Sequence, residues 1–196
     1  MSEPERSGLW SSSGWATGGP STRRPIEYAG VGVDDPRVAR CIQLMQREAE
    51  LLDRREYSRW EELFAEDGVY VIPVDRDAEQ FEDSLNMVFD DGQMRSQRVR
   101  RMTEGYAIAA VDAAVTARVL GRFVAESVVD DGGTTLVAVR AAQILVAFKR
   151  QRHELWAGDV DILVRLGDTP EQDRIVRKVV RLVDAGDVVP AAGFLL

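Results

Sequence analysis

Cysteine and histidine are almost absent: the 196 residues hold one of each, Cys41 and His153. A lone cysteine excludes an internal disulfide. Together the two counts exclude a zinc, haem or iron–sulfur centre built from this chain alone, because such centres draw on several of these ligands. Carboxylates remain as ligands for magnesium or calcium, yet no calcium-loop spacing and no glycine-rich phosphate loop occurs. No run approaches the roughly 18 consecutive apolar residues that span a bilayer. The opening MSEPERSGLW lacks the apolar stretch of a secretory signal, so no membrane is expected and the cytoplasm is the expected compartment. A basic excess is lacking too. Lys and Arg number 25 against 33 Asp and Glu, and a net charge of −8 argues against nucleic acid as a partner.

What is present is an ordinary globular balance, 45% hydrophobic and 30% charged. Residues 1–33 are rich in Ser, Gly, Pro and Arg and read as a flexible arm, with Trp10 and Trp15 as its odd members. Residues 34–196 read as a single domain. Asp35 followed by Pro36 is a helix start. Val38, Ile42, Met45, Ala49 and Leu52 then form one apolar stripe over a helix of roughly 20 residues. Asp53 to Glu56 reads as a bend, Tyr57 to Ala65 as a second helix, Asp67-Gly68 as a turn and Val69 to Val74 as a strand.

Further on, Asp75 to Asp83 is an acidic loop, Ser84 to Asp90 a strand, Asp91-Gly92 a turn, Gln93 to Glu104 a helix and Gly105 to Val115 a loop. Four long strands follow. In the first, Ala117, Val119, Gly121, Phe123 and Ala125 share one face and Arg118, Arg122 and Glu126 the other. In the second, Thr134 to Arg150, both faces are apolar, so something covers the second face. Helices followed by an antiparallel meander predict an α+β fold, a strongly curved sheet wrapped around the long helix as a cone.

A catalytic cone would need acid–base groups facing inward. The candidates are Asp53, Tyr57, Asp67, Tyr70, His153 and the pair Asp159 and Asp161. Asp53 and Tyr57 lie one helical turn apart, and with His153 they carry the enzyme reading. Each also has a structural reading: Asp53 at a helix bend, the tyrosines as packed rings, Asp67 in a turn, Asp159 and Asp161 on a charged outer face. No nucleophile elbow and no second histidine for a triad is present. The cluster Arg95, Arg98, Arg100 and Arg101 reads as a solvated helix face or a partner contact.

The stretch EAELLDRREYSRWEELFAEDGVYVIP resembles the small (β) subunit of aromatic-ring-hydroxylating dioxygenases. The matching residues are Glu48, Ala49, Leu51, Leu52, Asp53, Tyr57, Trp60, Leu63, Phe64, Asp67, Tyr70, Ile72 and Pro73. Arg98, Val99, Arg101, Met102 and Gly105 match a second segment, and Trp156-Ala157-Gly158, IVRKVVRLVD and a terminal FLL follow. In place of the family's S-R-T-R-x-x-x-x-N-V run this chain has TARVLGRFV, so the Asn is missing and Arg118 is the one early arginine kept. The resemblance implies the cone fold of ketosteroid isomerase, scytalone dehydratase and SnoaL. It implies a non-catalytic subunit with no cofactor of its own, beside a catalytic α subunit that carries the Rieske 2Fe-2S cluster and a mononuclear non-haem iron, usually as α3β3 with β–β contacts. It makes Arg98, Arg101, Arg118 and Trp156 the candidates for contact with the partner.

Overall fold

The computed structural model describes residues 30–104, 114–187 and 193–196. Most of the expected arm and most of the expected 105–115 loop therefore lie outside the described residues.

Helix α1, Pro36–Asp53, starts where the sequence places it: the Asp35 carboxylate accepts from the Arg37 amide at 2.8 Å. The Arg37 guanidinium closes on the same carboxylate and holds it down to about pKa 2. The buried stripe of α1 is Val38, Cys41, Leu44, Met45, Ala49, Leu51 and Leu52, with Ile42 on its shoulder. A bend follows, with Arg55 in the left-handed region at φ 59°. Helix α2 is short, Tyr57–Glu61, and strand β1 already begins at Phe64 and runs to Pro73. The expected helix to Ala65 stops early because the Ile175 amide donates to the Leu63 carbonyl at 2.8 Å, so the chain is captured by a strand far along the sequence. Asp67 and Gly68 form no turn. They occupy an irregularity inside β1, braced by Arg95, whose guanidinium donates to the Gly68 carbonyl at 2.6 Å and lies 4.3 Å over the Phe64 ring.

Strand β2, Asn86–Asp90, pairs with β1, and Asp91 is the cap of helix α3, Gly92–Thr103, rather than part of a turn. Its carboxylate accepts from the Met94 amide at 2.8 Å. Strands β3 (Val115–Asp131), β4 (Thr134–Lys149) and β5 (Arg152–Leu166) form the meander, and β6 (Arg174–Leu182) returns beyond β5. The six strands lie in the order β2-β1-β6-β5-β4-β3, antiparallel except for β1 against β6.

One face of this sheet packs on α1. Val137, Val139, Ala141 and Leu145 of β4, Trp156, Val160, Ile162 and Val164 of β5, and Val180 and Leu182 of β6 are buried in one core with the helix. The early half of β3 reverses the facing its alternation suggests. Arg118 buries its side chain to 1% exposure while Val119 is 67% exposed. The register shifts between Gly121 and Val124, with Arg122 at φ 53°, and one extra residue at such a bulge swaps the faces of everything before it.

The opposite face is covered only in part. Over β1 and β6 the 75–85 segment places Phe81 on Val71 and Val179. Arg181 ties that segment down through the Arg76 and Ala78 carbonyls at 2.8 and 2.7 Å. Over β3, β4 and the start of β5 none of the described residues covers the face.

Candidate functional site

Two places answer to function: the interior of the cone and the bare part of its outer face. In the interior, Lys178 projects from β6 with no exposure at all. Its ammonium donates to Glu48 Oε1 at 2.6 Å and to the main-chain oxygen of Leu196 at 2.7 Å. Trp60 Nε1 donates to the same Glu48 oxygen at 2.5 Å. The Tyr70 hydroxyl donates to the Leu196 oxygen at 3.0 Å and accepts from the Leu196 amide at 3.2 Å. Burial lowers the Lys178 pKa, with Glu48 opposing, and burial raises that of Tyr70. These groups are spent on one another and on the chain's own Phe194, Leu195 and Leu196, all buried.

Asp53 and Tyr57 do lie near each other, and Asp53 is fully engaged by β3. Asp53 accepts from Thr116 Oγ1 at 2.7 Å, from the Arg118 amide at 2.8 Å and from the Arg118 guanidinium. That set joins the end of α1 to β3. The Tyr57 ring is buried, and burial raises its pKa further from neutrality. A groove of about 480 Å³ beside them is lined by Gln46, Ala49, Glu50, Asp53, Arg54, Arg118, Val119 and Leu120. His153 lies elsewhere, exposed on the outer face, its ring 4.9 Å from Phe148. The three members of the enzyme reading are thus not brought to one place: Asp53 serves the inner face and His153 the outer.

The remaining carboxylates are engaged as well. Asp67 pairs with Arg165 at 3.0 Å. Asp159 takes Arg76 and Arg122, and Asp161 takes Arg140 and Arg181, at 2.6–2.8 Å. They do lie on the face away from α1, as their parity suggests, but Asp159 is buried beneath the 75–85 segment rather than spread in water. Among the described residues no group of three or more His, Cys, Asp or Glu is placed to hold a metal ion.

Two of the four partner-contact candidates turn inward. Trp156 is 5% exposed and meets Phe194 edge-on at 5.5 Å. Arg118 is consumed by Asp53 and the Leu195 carbonyl. Arg98 is half-buried on Asp90, with one bond at 2.8 Å, while Arg101 is exposed.

The outer face offers a different set, which the sequence reading did not single out. Register places Val115, Ala117 and Val119 of β3 across from Phe148, Val146 and Ile144 of β4, which in turn lie across from His153, Leu155 and Ala157 of β5. Val115 is 59% exposed, Leu155 69%, Ile144 50% and Phe148 42%. The available signal was β4 itself, apolar on both faces. A contiguous apolar area of this kind marks a contact surface.

The sequence model of the family described as "Ring hydroxylating beta subunit" matches residues 47–186. The chain belongs to that family. Among solved structures, the β subunit of benzoate 1,2-dioxygenase from Burkholderia mallei superposes with a TM-score of 0.62 at 19% identity, over 84% of this chain and 100% of that one. A chain of naphthalene 1,2-dioxygenase, solved with indole bound in the active site, gives 0.61 at 16% identity over 79% and 81%. A Novosphingobium aromaticivorans protein named for scytalone dehydratase gives 0.55 at 14% identity over 80% and 91%, the same curved-sheet fold. No curated protein sequence matches the chain. In this ring-hydroxylating β subunit, the run Glu48, Asp53, Trp60 and Tyr70 proves to be the polar framework of the interior. Glu48 and Trp60 share a hydrogen bond, and Asp53 pins α1 to β3. No helix of the described residues is long and apolar enough to cross a membrane.

Proposed function

We propose that this chain is the non-catalytic, structural subunit of an aromatic-ring-hydroxylating dioxygenase, a cytoplasmic scaffold for iron-bearing α subunits in an α3β3 assembly. Residues 34–196 act as its one domain. The observation that carries this reading is the bare apolar face of β3, β4 and β5, a surface of the kind that stable subunit contacts bury. The partner supplies the Rieske cluster and the mononuclear iron, and oxygen chemistry takes place there. The interior of this chain supports the same reading: its carboxylates, phenols and ammonium group hold the fold together.

The test is co-expression with an iron–sulfur α subunit, read by native mass and visible absorbance. Equal numbers of the two chains in a coloured particle are expected. Val146→Asp with Leu155→Asp should leave the chain folded and uncoloured, because two carboxylates would be desolvated in the contact. A colourless wild-type chain that ignores every such partner, and turns over a ketone or hydroxy substrate until Asp53→Asn stops it, would overturn the proposal in favour of a stand-alone enzyme.

A further inference from the structure

A groove of about 630 Å³ lies on the outer face over β1 and β6, away from the apolar area of β3 to β5. Its floor is apolar: Val69 of β1, Phe89 of β2, Leu163 of β5 and Val176 of β6, with Phe81 of the 75–85 segment as a wall. Its rim is exposed and acidic. Asp67 comes from β1, and Glu79, Glu82 and Asp83 come from the 75–85 segment, against one lining guanidinium, Arg177. Arg165 meets Asp67 at 3.0 Å and Arg181 reaches Glu79 at 4.0 Å. No cation among the described residues pairs with Glu82 or Asp83.

An apolar floor inside a rim of one sign fits a ligand with apolar stems and positive heads, and arginine has both. Residues 1–29 lie outside the described residues, and they hold such a segment in PSTRRPI, residues 20–26. The chain enters α1 at the matching end of the sheet. Arg40 of α1 donates to Asp173 at 2.5 Å and to the Gly167 carbonyl at 2.8 Å, on the connection between β5 and β6. Leu163 and Val176 of the groove lie just before and just after that connection. Extended chain covers about 3.3–3.6 Å per residue, so the stretch from Arg24 to Gly30 reaches about 20 Å. A short tether also gives an effective concentration on the order of millimolar, at which weak ion pairs suffice for docking.

We propose that the acid-rimmed groove over β1 and β6 is the docking site of this chain's own N-terminal arm, with Arg23 and Arg24 on the rim and their stems on the floor. Pro25 biases Arg24 toward extended backbone, in which neighbouring side chains point to opposite sides. One guanidinium then meets Asp67, and the other meets Glu82 and Asp83. The docked arm leaves the β3 to β5 area uncovered, so this holds whether or not an α subunit binds there.

Disulfide trapping in the full chain tests it, because Cys41 is buried and added cysteines are the reactive ones. Thr22→Cys with Gln80→Cys sets a thiol on the arm against one on the exposed groove rim. Thr22→Cys with Asp168→Cys sets it against the β5–β6 connection, where an arm without a preferred place arrives as readily. Under mild oxidation, followed by non-reducing electrophoresis, the groove pair should close within one chain about tenfold faster than the connection pair. Adding Arg23→Glu and Arg24→Glu should slow the groove pair about tenfold, the scale of two surface ion pairs, and not the connection pair. High salt should act in the same direction. Equal rates for the two pairs would overturn the proposal, as would a groove pair indifferent to charge reversal. Closure only between two chains would overturn it too, and would assign the groove to a second copy.

Discussion

Lys178 shows how a single charge is made tolerable inside an apolar core. Its ammonium has two oxygens within 2.7 Å and no contact with solvent. Breaking such a pair from one side leaves an unpaired buried charge and costs about 3–5 kcal/mol, whereas replacing both partners costs much less. Glu48→Gln should therefore lower unfolding free energy in urea by that amount, and Glu48→Leu with Lys178→Met should recover a large part of it. Cys41 is the opposite case, a buried side chain with no partner to satisfy. Burial pushes its thiol up to about 12 from 9.0, so the folded state keeps the proton where the unfolded chain releases it. The contribution is complete below pH 9 and disappears as pH rises through about 12. A thiol reagent at pH 8 should accordingly report unfolding, with no reaction in the native protein. Both residues were partly legible. Cys41 falls on the apolar stripe of α1, and Lys178 falls at the inward parity of β6 among Val180 and Leu182. What no local pattern shows is the oxygen waiting for Lys178, because Glu48 and Leu196 come from opposite ends of the described chain.

At the level of elements, boundaries were legible where the cause is local and hidden where it is distant. The start of α1 is written in Asp35 and Pro36, and that of α3 lay within one residue of the expected Gln93, with Asp91 acting as its cap where a turn was expected. The end of α2 is decided by β6, a strand with no neighbour in sequence. The facing of β3 is decided by the bulge at Arg122, which a simple count of alternating residues passes over. Gly158 marks another distant cause. A Cβ there would stand 2.5 Å from the Arg181 carbonyl on β6, and a main-chain oxygen has no rotamer by which to withdraw. Gly158→Ala should force β5 and β6 apart at Leu182 and cost about 1–3 kcal/mol, measured as a lowered midpoint of thermal or urea unfolding. The resemblance identifies an Ala-Gly step at this place; the approach of β6 supplies its reason.

At the scale of the whole molecule, helices first and a meander after was enough to predict the α+β cone. The two-sided β4 led to the expectation of a cover, and the described residues place none over Ile144, Val146 and Phe148. Which part of the second face the chain covers for itself was not legible, because the 75–85 segment is held by Arg181 of β6 and not by any pattern of its own. The strand order carries one more consequence. β6 lies in the middle of the sheet, between β1 and β5, although it follows all five other strands in sequence. Val71 cannot find Val179 until nearly the whole chain has been made. During synthesis the β1–β2 pair and the β3–β5 meander must therefore wait as two separate sheets, each with an open edge. Such non-local closure is slow and leaves strand edges exposed to aggregation. The time between the emergence of β5 and the arrival of β6 is when this protein most needs a chaperone.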